Sequence, residues 1–558
     1  MSNEELADLI FPNITKTVED YEKMYPERDL PNGAVVCRYA PSPTGFIHIG
    51  ALLASFTNSV FAKQSNGVFY LRIEDTDTKR TVDNGISNII NGLKEFGVTF
   101  DEGPVDETNS IGNYGPYIQS ERKEIYQAFV KHLIKEGKAY PCFCNEEELE
   151  EMRKEQEHDK MRIGYYGSYA KCRDLSNEEA ARRIKNGEPY IIRLRSNGDY
   201  NKKIICHDEI RGDIAFPEND LDIVINKKDG LPTYHFAHLV DDHLMRTTHV
   251  IRADEWVSSL PLHYQLYQMF GFKPLKYAHI SPLAKVDSET GGVRKLSKRK
   301  DAECAMSFYH EQGIPYEAVR LYLATITSSG FEEWYLHNPD GKIEDYKFEF
   351  KKVSKSPTLF DLEKLKNISR NYISRLKAPD LYERVSNFLN QYDKEFYEIF
   401  TKDKEYSINM LNIEREQKKP RKDIGCYSDV KKEMWYMFDE LFNQVEYNFD
   451  KINDRDEIRN ILTLYINKYY NELDDKDTWF NKMKLLCDEL GYCSDMKEYK
   501  NNPDAYKGSV ADISMVIRVA LTTRTTTPDL YEIMKLLKTD RIRERFNGIL
   551  NKSIKSGH

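Results

Sequence analysis

Apolar and polar positions change period several times along this chain, and each change predicts an element. Val35-Val36-Cys37 is a short apolar, strand-like run, followed by the turn-forming residues Pro41, Ser42, Pro43, Thr44 and Gly45. From about Gly50, the stretch ALLASFTNSVFAK repeats its apolar residues at spacings of three and four, which predicts a helix. Val68–Ile73 then predicts a second strand. Strand, turn, helix and strand open a doubly wound parallel sheet, so residues 34–140 are read as the first half of a Rossmann-type α/β domain. The second strand runs into charges at Leu71–Asp77, LRIEDTD, where such sheets place ligands; an acidic loop is the plainer alternative.

The pattern then changes character. Residues 141–226 read as a mixed α/β insertion. Asn145 with Glu148, and Ser176 with Glu179, have the capping-box spacing before helical runs, and strand-like YIIRLR and DIVIN close the interval. The sheet resumes over 227–305. Short amphipathic helices follow over 306–377, with Lys351, Lys352 and Lys355 as a small basic cluster. From 378 to 558 the helical period dominates and no series of short strand patterns recurs, which predicts all-α C-terminal domains. Ahead of all this, residues 1–33 form an acidic helical extension closed by Pro31-Asn32-Gly33 and read as a solvated leader.

Composition narrows the class without naming a task. The 558 residues suggest about three or four domains. No run of about eighteen apolar residues is present, so no membrane-spanning helix is expected. The acidic start, MSNEELADLI, lacks the features of a signal peptide, and nine scattered cysteines do not make a disulfide scaffold, so a reducing cytoplasm is the expectation. A net charge of −10 argues against an indiscriminate polyanion binder but leaves room for a local nucleic-acid patch. Nothing signals a dimer, and a monomer is the default.

Two stretches carry the candidate chemistry. His48 and Gly50 fall at the N-terminus of the first predicted helix, where free N–H groups and the helix dipole favour phosphate. Neither a GxxxxGK[ST] nor a GxGxxG pattern follows a strand there. The second stretch is Arg294–Lys300, RKLSKRK, which by itself reads as a solvated basic loop. Together HIG and KLSKR resemble the two signatures of the class I aminoacyl-tRNA synthetases. The wider string APSPTGFIHIG, FYLRIEDTD, PYIQSER, TYHFAHLVDDHLM, HVIRADEW and KLSKRK is similar to the glutamyl members, densely from Arg38 to about Leu365 and weakly at Arg518–Lys535. Ala51 stands where the first signature ends in His, a position at which the glutamate enzymes commonly vary.

The resemblance implies an enzyme that uses ATP, with Mg2+, to join L-glutamate to tRNA(Glu). His48, Gly50, Lys295 and Lys298 would handle the phosphates, Lys298 as the last lysine of the second signature, on a loop made flexible by Gly291-Gly292. Arg38 would clamp the substrate's side-chain carboxylate, a charge-assisted pair contributing roughly 1.5–3 kcal/mol. Ala40, Ser42, Glu74, Tyr234 and Arg252 would complete the amino-acid site, with Glu74 facing the ammonium; His238 stands where relatives often have Asn. The insertion would receive the tRNA acceptor end, residues 306–377 the inner bend, and the helical domain the anticodon. Relatives need tRNA before they activate glutamate, and the same is expected here.

Alternatives remain open at this point. A relaxed enzyme would also charge tRNA(Gln). A glutaminyl-tRNA synthetase shares the catalytic fold but usually ends in β-barrels. A tRNA-independent nucleotidyltransferase, or a short paralogue that glutamylates a modified base, would not need the helical third. A non-catalytic tRNA-binding protein would not need His48, Gly50, Lys298 and Arg38 intact.

Two further groups invite a ligand. Cys142, Cys144 and Cys172 suggest zinc, against three idle thiols; some relatives carry CxC…CxH, and Asp174 stands at the place of that His, with Tyr166 or water as other donors. His235, His238, His243, His249 and His263 crowd one segment, where substrate-pocket and packing roles compete with a metal. Arg415–Lys422, REQKKPRK, is the densest basic run of the helical third, read as a solvated loop or a phosphate contact with tRNA.

Overall fold

A computed structural model describes residues 1–43, 47–77, 82–443, 445–449, 451–452 and 454–551. Thr44 and Gly45 of the expected turn, and 552–558 of the expected helical domain, lie outside the described residues. The chain forms two compact units, one of Met1–Phe308 with Val319–Asp361, the other of Tyr309–Ala318 with Leu362–His558.

The first unit begins with helices α1 (Asn3–Ile10) and α2 (Val18–Met24), each opened by a capping box, Ser2 with Glu5 and Thr17 with Asp20. They are not a solvated leader. Leu6, Ala7, Ile10, Phe11, Ile14, Val18, Tyr21 and Tyr25 are buried in the same apolar core as Phe129 and Leu133. Lys131 Nζ donates to the carbonyls of Phe11 and Ile14 at 3.0 and 2.8 Å, closing the turn between the two helices. The apolar residues interleaved with the acidic ones form a face, and that face is covered.

Strand β1 (Val36–Tyr39), helix α3 (Ile49–Gln64) and strand β2 (Val68–Leu71) form the predicted opening, with β1 parallel to β2 from Val36↔Val68 to Tyr39↔Leu71. Helix α4 (Lys123–Lys135) follows. Next come strands β3 (Ala139–Cys142), β4 (Ile191–Leu194), β5 (Lys203–Asp208), β6 (Gly212–Pro217) and β7 (Val224–Asn226). Helix α5 (Tyr234–Leu244), strand β8 (His249–Ala253), helix α6 (Leu260–Phe270) and strand β9 (Lys276–Ile280) complete the sheet region. β8 and β9 are parallel. Thr248, one residue before β8, donates its N–H to Val36 O at 2.9 Å and accepts the Val36 N–H on its hydroxyl at 2.8 Å, which ties β8 to β1.

The interval 141–226 does not stay together as one block. β3, β4 and β7 make an antiparallel sheet of their own, as the YIIRLR and DIVIN runs lead one to expect. The β5–β6 hairpin instead joins the main sheet, where β5 runs parallel to β9 at Asp208↔Tyr277. Strands β10 (Leu283–Val286) and β11 (Val293–Lys295) then form the antiparallel hairpin that carries the second signature.

The second unit is helical, and among the described residues no strand follows Leu359. It takes in Leu362–Arg375, which the sequence pattern assigned to the preceding domain, because Ile373 is buried in the helical core. The basic run there is partly a core feature. Arg415 is buried and donates to the carbonyls of Leu411, Ile373 and Leu376 at 2.9, 2.7 and 3.2 Å. Arg415 is therefore neither a solvated residue nor a free phosphate contact, whereas Lys418, Lys419 and Lys422 are exposed.

Candidate active site

At the C-terminal ends of β1, β2 and β8 lies a cavity of about 530 Å3, whose wall includes Arg38, Ala40, Ser42, His48, Gly50, Glu74, Tyr234, Arg252 and Lys295. Ligands are expected at this edge of a parallel sheet. Nine of the site residues expected from sequence thus line one cavity, although 257 positions separate Arg38 from Lys295 (295 − 38).

His48 is the N-cap of α3. Its backbone is extended, and its Nδ1 accepts the Ala51 N–H at 3.1 Å. With Nδ1 committed as an acceptor, the proton of the neutral ring sits on Nε2. Burial, followed by the charges of Lys298 and Lys295, lowers its pKa to about 4, so the ring is neutral at physiological pH. Gly50 packs closely beside it. A Cβ at Gly50 would lie 3.1 Å from His48 Nδ1 and 3.2 Å from Cε1, close enough that the imidazole would have to give by a few tenths of an ångström.

Lys295 closes β11 and pairs with Glu255 at 3.1 Å. Lys298 is not on the cavity wall; its charge reaches the site through its effect on His48. The loop carrying both lysines is braced by Arg294, whose Nη1 and Nη2 bind the two Asp301 oxygens at 2.6 and 2.9 Å while Nε binds Asp287 at 2.8 Å. Sequence reading missed this brace, although RK and KRKD lie together in the signature.

Also lining the cavity, Arg38 is buried, its Nε held by both Asp242 oxygens at 3.0 and 3.2 Å. Arg72 Nη1 donates to Asp242 Oδ1 at 2.7 Å and its Nη2 to Glu74 Oε1 at 3.1 Å. Burial alone would raise the Asp242 pKa, but Arg38 and Arg72 hold it well below the carboxylate range. Glu74 moves the other way, raised by burial. Asp242 and Arg72 were missed as site residues; adjacent Asp241 and Asp242 directly after the apolar pair Leu239-Val240 were the available signal.

His238 is a correction. It is fully buried and absent from the cavity wall, lying behind Tyr234 with parallel rings 6.1 Å apart. Its Nδ1 lies 2.5 Å from Asp242 Oδ2 and its Nε2 3.0 Å from the Tyr277 hydroxyl. Burial lowers its pKa to about 3, so the ring is neutral at physiological pH. One turn of α5 brings residues 238 and 242 together, which places His238 beside the carboxylate that holds Arg38. Of the other clustered histidines, His235 Nδ1 and His263 Nε2 are 3.0 Å apart, while His243 stacks on Phe272 and His249 on Phe350.

The cysteine cluster is real in space. Ligand atoms of Cys142, Cys144 and Cys172 all lie within 4.8 Å of one another, with Cys144 Sγ and Cys172 Sγ 3.6 Å apart. Asp174 is not part of it; its side chain is 91 % exposed and faces Arg195 at 3.6 Å. Tyr166 is also elsewhere, its hydroxyl donating to Arg162 O at 2.8 Å. The hydroxyl beside the thiols is that of Tyr165, 3.4 Å from both Cys142 and Cys144 Sγ.

The model for class I tRNA synthetases (E and Q), catalytic domain, matches residues 34–367. The chain is 50 % identical over 553 residues to a glutamate–tRNA ligase of Clostridium perfringens (strain SM101), covering 99 % of this chain and all of that one. It is 45 % identical over 551 residues to a glutamate–tRNA ligase of Acetivibrio thermocellus, again over 99 % of this chain and all of the relative. Among solved structures, the glutamate–tRNA synthetase of Elizabethkingia anophelis superposes with a TM-score of 0.72 at 26 % identity, over 93 % of this chain and all of that one.

Proposed function

The chain belongs to the class I tRNA synthetases of the glutamate and glutamine type, and from that premise we infer that it is a glutamate–tRNA ligase. In the first step a glutamate carboxylate oxygen attacks the α-phosphorus of ATP and pyrophosphate leaves. In the second, a ribose hydroxyl of the tRNA's terminal adenosine attacks the activated carbonyl carbon and AMP leaves.

The observation that carries this reading is one cavity walled by a helix N-terminus, a neutral imidazole, a lysine and two guanidinium groups. The His48 Nε2–H and the α3 N-terminus offer donors to phosphate, and Lys295 offers charge. Lys298 would join them from its loop, and Mg2+ would arrive with ATP. Arg38 and Arg252 supply cations for a side-chain carboxylate, which an uncharged glutamine amide would not reward equally. Glu74 is placed for the substrate ammonium, with Ala40, Ser42 and Tyr234 shaping the remaining wall.

The insertion would receive the acceptor end and the helical unit the anticodon of tRNA(Glu). No described helix is long and apolar enough to cross a membrane, and a cytoplasmic monomer is the proposed state. The three thiols and Tyr165 fit a structural zinc. Tetrahedral Zn–S bonds of about 2.3 Å place sulfurs roughly 3.8 Å apart, close to the 3.6 Å between Cys144 and Cys172. Such an ion would pin β3 to the following loops and take no part in the reaction.

Charging with radiolabelled glutamate on separate tRNA(Glu) and tRNA(Gln) transcripts, with glutamine as control, tests the assignment. Glutamate on tRNA(Glu) alone marks a discriminating ligase, and glutamate on both marks the relaxed form. Glutamine charging, or no charging, overturns it.

A further inference from the structure

The two guanidinium groups of the cavity are held by different means. Arg38 leans on a carboxylate, Asp242. Among the described residues Arg252 has only neutral acceptors in direct contact: its Nε donates to His279 Nε2 at 3.0 Å, Nη1 to the Tyr234 hydroxyl at 3.2 Å, and Nη2 to His263 Nδ1 at 3.2 Å and Trp256 O at 3.4 Å. Its charge is therefore available to an anion in the cavity, provided that the fork stays turned that way.

His279 decides that direction, and Asp208 decides His279. Because a guanidinium only donates, His279 Nε2 must be the acceptor and Nδ1 must carry the proton. Nδ1 lies 2.7 Å from Asp208 Oδ2, which also accepts the His279 backbone N–H at 3.0 Å. Asp208 Oδ1 accepts the Ile210 and Arg211 N–H groups at 3.0 and 2.9 Å. Asp208 and His279 are both fully buried, and neither lines the cavity.

We propose that Asp208 is a positioning residue of the amino-acid site, which through the His279 imidazole fixes the direction in which Arg252 faces the cavity. Asp208 ends β5, within the interval inserted between the two halves of the sheet. The same hairpin tip grips the flanks of the site. Arg211 Nη2 reaches Asp254 Oδ2 and Ser281 Oγ, both at 3.1 Å, and Arg211 Nε donates to His279 O at 3.3 Å. Asp254 lies two residues beyond Arg252, and Trp256, two further on, stacks on Tyr234 at 4.1 Å. The insertion thus supplies part of a site that its own side chains do not line. Without an acceptor at His279, the Arg252 Nε–H loses its partner in a buried setting and the fork reorients.

This inference rests on Arg252 being an amino-acid contact, and the experiment separates the two. Steady-state aminoacylation by the full-length chain is measured with glutamate, ATP and tRNA varied in turn, alongside thermal melting. His279→Leu removes the acceptor, His279→Gln retains one, and Asp208→Asn sets an amide N–H2 against N–H donors. Asp208→Asn and His279→Leu are expected to raise the glutamate KM about tenfold with the ATP KM within about twofold, and His279→Gln to recover most of the loss. Should Asp208→Asn not fold, the His279 pair decides. An unchanged glutamate KM in His279→Leu, equal damage in His279→Gln, or glutamate and ATP KM rising together would overturn the proposal. Arg252→Gln is the control: if its glutamate KM is unchanged, the reading of Arg252 itself falls; if raised while both relay variants behave as wild type, only the relay falls.

Discussion

Arg38 and Asp242 form a buried pair in which one nitrogen, Nε, meets both carboxylate oxygens at 3.0 and 3.2 Å. The pairing occupies the stem side of the guanidinium and leaves its fork to the cavity wall. It also sets a test. Arg38→Lys preserves charge but removes both the Nε anchor and the planar fork. The glutamate KM is expected to rise by about tenfold or more, with the ATP KM little changed. Equal loss for both substrates would mean that the pair supports the cavity as a whole.

Gly50→Ala tests the N-cap. The added Cβ meets the His48 ring at 3.1 to 3.2 Å, inside normal contact. Helix content is expected to survive, since alanine favours a helix. Aminoacylation kcat is expected to fall about tenfold or more as the Nε2 donor is displaced. Circular dichroism with steady-state kinetics separates the two effects.

Buried imidazoles make stability depend on pH. Burial lowers His48, His235 and His249 to about 4 and His238 to about 3. Between the usual histidine pKa near 6.5 and those values, the unfolded chain binds protons that the folded chain refuses. Stability therefore rises with pH across that window, is complete above about pH 6.5 and is lost as pH falls toward 4. Urea midpoints measured from pH 7 to pH 4.5 should decline, and His249→Gln should flatten the slope. A flat profile would contradict neutral burial.

The thiol cluster makes a prediction independent of catalysis. Purified protein is expected to hold about one zinc per chain by elemental analysis, and Cys144→Ser to lose it and lower the melting temperature. Tyr165→Phe tests the phenol as fourth donor. Metal-free protein with an unchanged melting temperature in Cys144→Ser would mean three idle thiols.

The helices, the parallel opening and both signatures were legible because each depends on local order: a period of apolar residues, a turn cluster, a short motif. The capping box at Asn145 shows this, as does the Ser176 hydroxyl that accepts the Glu179 N–H, while the Glu179 carboxylate turns to Arg182 instead of closing a second box. Tertiary structure alone decided what distant residues share. The acidic leader became core because its apolar face met α4, which sequence order does not reveal. Arg415 became a core donor because the carbonyls of Ile373 and Leu376, at the end of a helix some forty residues earlier, lay beside it. His238 left the cavity wall because one turn of α5 placed it against Asp242. Asp208 entered the site's support because β5 crosses into the main sheet. Local sequence determines which backbone geometry is cheap. A buried charge must find its partner wherever the fold brings one, and only the packed chain states where that is.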